Sequence, residues 1–270
     1  MSHTAAVGIA VAQFRPGTDP EENLSSMRAL ADRAVELGAA VVVFPEYSSY
    51  FRPDMDASFA EHAQPVDGPF VESLGRLART LGIHVVAGLV ERTGIPDHFA
   101  NALVALGPDG ALEAVYRKIH LYDAFGQRES DWVVPGVIAT PETFAAGGLR
   151  FGLQTCYDLR FPESTRRLVD AGADVVLIPS EWVRGPLKEH HWRTLLTARA
   201  IENTVYVAAA DHSPPIGVGA SMIVDPMGVQ LAGLGEEDGV IVAHASTDRI
   251  AAVRAVNPAL ELRRFVVAPR

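Results

Sequence analysis

Residues 39–44 read Ala-Ala-Val-Val-Val-Phe, and Pro45-Glu46 follows them directly. The run is apolar without alternation, which is typical of a parallel strand that is buried on both faces. Residues 175–178 (VVLI) have the same character, and residues 151–155 (FGLQT) also read as a buried strand. Strands covered on both faces need helices between them in the chain, so these three runs predict an α/β fold built of layers.

Helical patterns separate the apolar runs. In residues 20–37, apolar side chains recur three and four positions apart, with Asp19 placed to cap the start and Gly38 to end the helix. Other segments repeat the pattern between Pro and Gly residues. The predicted helices cover residues 20–37, 70–81, 162–171 and 187–203.

An antiparallel hairpin is predicted where residues 102–106 and 111–117 flank the turn sequence Gly107-Pro108-Asp109-Gly110. Hairpins mixed with strand–helix–strand units imply α/β layers with a mixed sheet. No linker-like stretch divides the chain, so we expect one domain over residues 1–270 with a core over about residues 5–248. Residues 249–270 have weak periodicity, and we expect a C-terminal arm there, either extended or at a subunit contact.

The composition excludes several classes of protein. Apolar residues make up 48% and charged residues 21%, which is typical of a globular chain rather than a disordered or fibrous one. A net charge of −10 leaves no basic surplus to meet phosphates, so we expect neither nucleic acid nor a membrane as partner. Residues 1–13 contain no Lys or Arg, and we expect no signal peptide. With one cysteine in the chain, a cytoplasmic location is the default expectation.

Three reactive side chains follow predicted strands, where open α/β sheets bind their ligands. They are Glu46, Lys118 and Cys156. A thiol is a poor nucleophile without a base, and burial raises the pKa of a glutamate toward the range that suits a base. A lysine ammonium can stabilise a developing oxyanion. Taken singly, each residue also has a simpler interpretation, as a core cysteine, a solvated carboxylate or a surface lysine.

Six segments together resemble the nitrilase superfamily of carbon–nitrogen hydrolases. The segments are residues 44–46 (FPE), 116–121 (YRKIHL), 127–130 (QRES), 156–163 (CYDLRFPE), 198–203 (ARAIEN) and 221–228 (SMIVDPMG). They occur in the order of the family and extend from about residue 7 to about residue 245. Residues 117–121 and 156–163 are most similar to the branch that contains omega-amidase and deaminated-glutathione amidase.

The resemblance implies a four-layer α-β-β-α sandwich whose subunits pair, so we expect a homodimer or a higher homo-oligomer. It also implies an amidase that converts a small amide to a carboxylic acid and ammonia through a cysteine thioester. A nitrilase and an N-carbamoyl amino acid amidohydrolase would use the same residues and remain alternatives. This chemistry needs no metal and no organic cofactor, and we expect none.

The roles that the resemblance implies fall on five residues. Glu46 is the general base and Cys156 the nucleophile. Lys118 stabilises the oxyanion together with the backbone N–H of Tyr157, the residue after the nucleophile. Glu129 is the second glutamate of the family and orients Lys118.

Other residues near the strand ends are weaker candidates. Tyr47 and Trp182 could form walls of a small substrate site, although packing in the core explains them equally well. Arg184 could recognise a substrate carboxylate, but a solvated loop arginine is the simpler interpretation.

Two hydrolases of other classes, and a binding module without catalysis, are the rival hypotheses. In a Cys–His hydrolase the base would be His120, which lies two residues after Lys118 and so shares a face with it on an extended chain. A metal hydrolase would need convergent ligands, whereas His190 and His191 are adjacent on a predicted helix and point about 100° apart. We therefore expect no metal site.

Overall fold

Two six-stranded mixed sheets organise the part of the chain that the structure, a computed structural model, describes, which is residues 6–269. The ends of the predicted 1–270 domain, residues 1–5 and Arg270, lie outside the described residues. The strands are β1 (Val7–Gln13), β2 (Val41–Val43), β3 (His84–Arg92), β4 (Phe99–Leu106), β5 (Leu112–Arg117), β6 (Thr143–Ala146), β7 (Leu149–Leu153), β8 (Val175–Pro179), β9 (Tyr206–Ala210), β10 (Met222–Val224), β11 (Gln230–Gly233) and β12 (Gly239–Ala245). The helices are α1 (Pro20–Glu36), α2 (Ser58–His62), α3 (Pro69–Leu81), α4 (Pro162–Asp170), α5 (Lys188–Asn203) and α6 (Thr247–Val256).

Each sheet has a parallel centre and antiparallel edges. The first sheet has the strand order β12-β1-β2-β3-β4-β5 and the second has the order β11-β10-β9-β8-β7-β6. Strands β1, β2 and β3 are parallel to one another, as are β7, β8 and β9. The carboxyl ends of parallel strands meet at one edge of a sheet, so the loops after these central strands lie side by side.

The sheets pack face to face and the helices cover their outer faces, which confirms the predicted four-layer sandwich. Between the sheets, side chains such as Val43 of β2 and Leu177 of β8 belong to one buried apolar cluster. Helices α1 and α3 cover the first sheet and α4 and α5 cover the second, through side chains such as Met27 and Trp192. Because both faces of every central strand are covered, these strands contain almost no polar residues.

The signals that predict helix ends act as expected in α1 and α3. Asp19 accepts hydrogen bonds from the backbone N–H groups of Glu21 and Glu22 at 2.9 and 3.4 Å. Gly82 ends α3 with φ +66°, in the left-handed region that glycine tolerates. Each helix is thereby fixed next to the strand that it covers.

The C-terminal segment, expected to be an arm that is either extended or at a subunit contact, begins with a helix. Its first part is helical, because α6 runs to Val256, with Ser246 accepting a hydrogen bond from the N–H of Arg249 at 3.2 Å. Only Ile250 and Val253 of this helix are buried, which is why its periodicity is weak in the sequence. No described helix reaches both the length and the hydropathy that a membrane span requires.

Candidate active site

Glu46, Lys118 and Cys156 converge on one cavity of about 430 Å³. Glu46 follows β2, Lys118 follows β5, and Cys156 follows β7 at the start of a 3₁₀ helix that ends at Arg160. Glu129, from the segment after β5, lines the same cavity. Both sheets thus contribute to a single site, at the ends of β2, β5 and β7.

Lys118 is enclosed by two carboxylates. Its Nζ lies 2.9 Å from Oε1 of Glu46, and 3.0 and 2.9 Å from Oε1 and Oε2 of Glu129. The Nδ2 of Asn101, on β4, donates to both carboxylates, at 2.6 Å to Glu46 and 3.1 Å to Glu129. All four side chains are buried, so the group is fixed in position before any substrate binds.

The environments of the two carboxylates push their pKa values in opposite directions. Burial raises the pKa of Glu46 and outweighs the opposing ammonium of Lys118. Burial acts on Glu129 too, but Lys118 and the hydrogen bonds from the hydroxyl of Tyr47 (2.7 Å) and the N–H of Tyr122 (2.6 Å) lower its pKa overall. One carboxylate therefore stays charged while the other can exchange a proton, which is the arrangement that acid–base chemistry needs.

Lys118 is held in its charged form. Burial alone would lower its pKa, but the carboxylates of Glu129 and Glu46 outweigh that effect and raise the pKa well above its usual range. The ammonium is therefore a permanent positive charge in the cavity wall. A permanent positive charge in a buried wall can stabilise an oxyanion.

Cys156 is presented by a strained backbone, with φ +45° in the left-handed region. Burial raises the pKa of its thiol well above the usual range, Glu46 adds to this, and Lys118 opposes it. The thiol is protonated at neutral pH and donates to the backbone carbonyl of Glu181 at 3.4 Å. Formation of the thiolate consequently requires a base in the site.

Asp158 holds the turn that carries Cys156. Its carboxylate accepts from the N–H of Thr155 at 3.2 Å and from the hydroxyl of Tyr116 at 2.5 Å. The ring of His120 lies 2.7 Å from the same carboxylate through Nδ1 and stacks on Phe161 at 3.7 Å. His120 is thus engaged with Asp158, and it does not line the cavity that contains Cys156.

The loop after β8 closes the site behind Glu46. The N–H of Glu181 donates to Oε2 of Glu46 at 2.6 Å, and the N–H of Trp182 donates to Asp211 at 2.6 Å. His212, whose pKa burial lowers to about 4, is neutral and donates from Nε2 to the backbone carbonyl of Glu46 at 2.7 Å. Sequence reasoning missed Asp211 and His212 as site residues, although both directly follow the apolar strand β9, as Cys156 follows β7.

The weaker candidates occupy different places. Tyr47 is buried and lines the cavity, with its hydroxyl on Glu129. Tyr157 and Trp182 instead line a small niche beside Cys156, and Trp182 also packs against Trp192 in the core. Arg184 lines neither space and pairs with Glu236 at 2.7 Å.

Metal-binding side chains are not grouped in residues 6–269: no set of three His, Cys, Asp or Glu residues there is arranged to hold an ion. The rings of His190 and His191 lie 6.3 Å apart and are tilted by 55°. This agrees with the expectation that the two side chains diverge.

Comparison with known sequences places the chain among hydrolases. Residues 8–255 match the family described as carbon-nitrogen hydrolase. The chain is 39% identical over 260 residues to a protein of Escherichia coli O157:H7 named deaminated glutathione amidase, covering 95% of this chain and 97% of that one. It is 33% identical over 273 residues to the human protein of the same name, covering 95% and 82%.

Comparison with solved structures agrees with this result. The NitN amidase from Nesterenkonia sp. AN1 superposes with a TM-score of 0.79 at 29% identity, covering 96% of each chain. A Glu-to-Gln variant of the Nesterenkonia amidase superposes on this chain with a TM-score of 0.79 at 28% identity, covering 97% of this chain and 95% of that one. In that structure the acetamide moiety of fluoroacetamide is attached covalently to the active-site cysteine. That relative thus forms a covalent bond between its cysteine and an amide-bearing compound.

Proposed function

Because the chain belongs to the carbon–nitrogen hydrolase family, we propose that it is an amidase that hydrolyses a small amide to a carboxylic acid and ammonia. One observation carries the proposal: the protonated thiol of Cys156 opens onto the same cavity as the buried Glu46–Lys118–Glu129 group. This cavity holds a nucleophile, a base and a fixed positive charge, which are the three requirements of acyl transfer through a thioester.

In the first half of the reaction, Glu46 takes the proton of the Cys156 thiol and the thiolate attacks the carbonyl carbon of the amide. The carbonyl oxygen becomes an oxyanion, which the Lys118 ammonium and the N–H of Tyr157 stabilise. Glu46 then gives its proton to the amide nitrogen. The carbon–nitrogen bond breaks, ammonia leaves, and the acyl group remains on sulfur as a thioester.

In the second half, Glu46 takes a proton from a water molecule, whose oxygen attacks the thioester carbonyl. The carbon–sulfur bond breaks, the proton returns to the sulfur, and the carboxylic acid leaves. The raised pKa of Glu46 favours this repeated exchange. Glu129 supports both halves because it holds the Lys118 ammonium in place.

The names of the relatives favour an amide over the alternatives that share the triad, a nitrile or an N-carbamoyl amino acid. The test is ammonia release from a panel of omega-amides, aliphatic amides, N-carbamoyl amino acids and nitriles, with the Cys156→Ala variant as the blank. We expect the native protein to release ammonia from amides and the Cys156→Ala variant to release none. Near-total loss in His120→Ala, with Glu46→Ala tolerated, would instead favour a Cys–His hydrolase.

We also propose that the protein acts in the cytoplasm as a homodimer or higher homo-oligomer of single-domain subunits. The apolar side chains of Leu262, Phe265 and Val266 are 70%, 89% and 91% exposed, as residues covered by a second subunit would be in one isolated chain. Light scattering on the purified protein tests the assembly. A mass of one chain would refute it.

A further inference from the structure

A niche of about 10 Å³ lies beside the catalytic cavity and shares with it Tyr122, Cys156, Glu181 and Val183. That volume is roughly the space of one water-sized group. Glu46, Lys118 and Glu129 line the larger cavity and not the niche. Tyr157, whose backbone N–H stabilises the oxyanion in the mechanism above, also lines the niche, so the niche lies beside the position of the scissile carbonyl, and a substituent on the acyl side of the substrate can enter it.

Glu181 forms one wall of the niche, and its carboxyl has no role in the mechanism above. Oε1 is buried and has no hydrogen-bonding partner within residues 6–269. Most buried polar atoms in proteins are hydrogen-bonded, so an unpaired one beside a nucleophile indicates a position for a ligand atom. Burial, with the charges of Glu46 and Asp211, raises the pKa of this carboxyl well above its usual range, which favours its neutral form.

Lys188 also lines the niche. It is buried, donates from Nζ to the hydroxyl of Tyr122 at 2.6 Å, and lies 4.1 Å from the ring centre of Phe125. Among residues 6–269 no carboxylate lies within ion-pair distance of it. The guanidinium of Arg160, another wall residue, stacks over Trp182 at 4.7 Å. The niche is therefore lined both by hydrogen-bond donors and by a carboxyl group.

Resting on the proposed amidase function, we propose that Glu181 is a specificity-determining residue and that the niche binds a single uncharged oxygen on the carbon next to the scissile carbonyl. A hydroxyl or an oxo oxygen fits the volume, accepts a hydrogen bond from Lys188 and pairs with the carboxyl of Glu181. An ammonium substituent would be repelled by the positive charges of Lys188 and Arg160. A carboxylate substituent has three heavy atoms and is too large for the niche. The substrate class is thus a 2-hydroxy or 2-oxo amide.

The test compares kcat/KM for ammonia release from propanamide, 2-hydroxypropanamide, 2-oxopropanamide and 2-aminopropanamide. We expect the native protein to favour an oxygenated amide over propanamide by about 10- to 100-fold, the range of a hydrogen bond that involves a charged or buried partner. In Glu181→Met, which keeps the bulk without the carboxyl, that ratio falls toward one. In Glu181→Gln, which can still donate and accept, most of the ratio remains.

Glu189→Gln is the matched control, because it makes the same chemical change at an exposed residue of α5 next to Lys188. It should leave every ratio as in the native protein, and thermal melting verifies that each variant is folded. The ratio of kcat/KM for 2-hydroxypropanamide to kcat/KM for 2-oxopropanamide shows which type of oxygen the niche binds better. Equal rates on propanamide and both oxygenated amides, an unchanged ratio in Glu181→Met, or a preference for the 2-amino amide would each overturn the inference. No ammonia from any amide would refute the amidase function itself.

Discussion

The two sheets supply opposite kinds of chemistry to the same cavity. The first sheet and the segment after it contribute Glu46, Lys118 and Glu129, which are linked by hydrogen bonds of about 3 Å, and Lys118 and Glu129 hold fixed charge. The second sheet contributes Cys156 and Glu181, and burial raises the pKa of both side chains, which favours their neutral forms. The Lys118–Glu129 pair is therefore organised and charged before substrate arrives, whereas the proton transfers of the reaction involve Glu46 and Cys156.

The two halves also differ in how many of their buried polar atoms have a hydrogen-bonding partner. In the second half, Oε1 of Glu181, Oδ2 of Asp211 and Nδ1 of His212 are buried without a partner in the described chain, whereas in the linked group of the first half Oδ1 of Asn101 is such an atom. In the first half, the carboxylate oxygens of Glu46 and Glu129 accept from three and four different groups. Electrostatic stabilisation by fixed groups costs no reorganisation in the transition state, so the first half can be rigid while the second accommodates the substrate.

The largest effect is expected in the neutral half, from Cys156→Ala. Removal of the nucleophile should lower kcat by about 10⁴-fold or more, since a nucleophile acts as a unit with its base. The side chain removed is small, so the melting temperature should change little. A variant that retained the native rate would show that the thiol is not the nucleophile.

The next largest effect is expected in the charged half, from Lys118→Met. Loss of one oxyanion donor lowers kcat by roughly 10²–10³-fold. The variant also leaves two buried carboxylates without their cation, which lowers the free energy of unfolding by about 3–5 kcal/mol. Urea denaturation measures the loss of stability. It also gives the conditions under which the variant is folded, so that its kcat can be compared with that of the native protein. Full stability in this variant would contradict the fixed-charge interpretation.

A smaller effect is expected from Glu129→Gln, which keeps the shape of the side chain but removes the charge that orients Lys118. Displacement of the ammonium should lower kcat about 10- to 100-fold. The charge of Glu129 also contributes to the raised pKa of Glu46, so the acid limb of the pH profile should move to lower pH. A merely structural role would leave that limb in place, and Glu189→Gln again serves as the control.

The smallest change is expected from pH alone in the native protein. Glu46 acts as a base only when ionised, and burial raises its pKa. As pH falls through that raised value, kcat/KM should fall by about tenfold per unit. The acid limb should therefore lie above the range of an ordinary glutamate, and a limb near pH 4 would contradict the inferred desolvation of Glu46.

The sequence alone predicts the reactive residues that stand at strand ends. Glu46 and Cys156 each come three residues after the last residue of a buried strand, and Lys118 follows a hairpin strand whose turn is plain in the sequence. Glu129 could be predicted only through the family resemblance, because it lies in an irregular segment whose path no local pattern determines. Asn101 was missed because it lies inside the apolar strand β4, and a single polar side chain within such a strand gives no sign of a functional role.

Elements with little buried surface were the hardest to predict. Helix α6 buries two side chains, and β6 is a strand of four residues after an irregular stretch. Neither gives a periodic pattern long enough to recognise. The α1 helix, with a cap, a proline at its start and a full apolar face, was predicted to within a residue at its ends.

The hydrogen bond from the thiol of Cys156 to a backbone carbonyl bears on chemical damage. Peroxides react with the thiolate form of cysteine, whereas a protonated sulfhydryl is oxidised slowly. The chain has a single cysteine, and it is 6% exposed and kept in the unreactive form between turnovers. The thiolate forms only while an acyl donor covers the sulfur, so peroxide should oxidise the resting protein slowly.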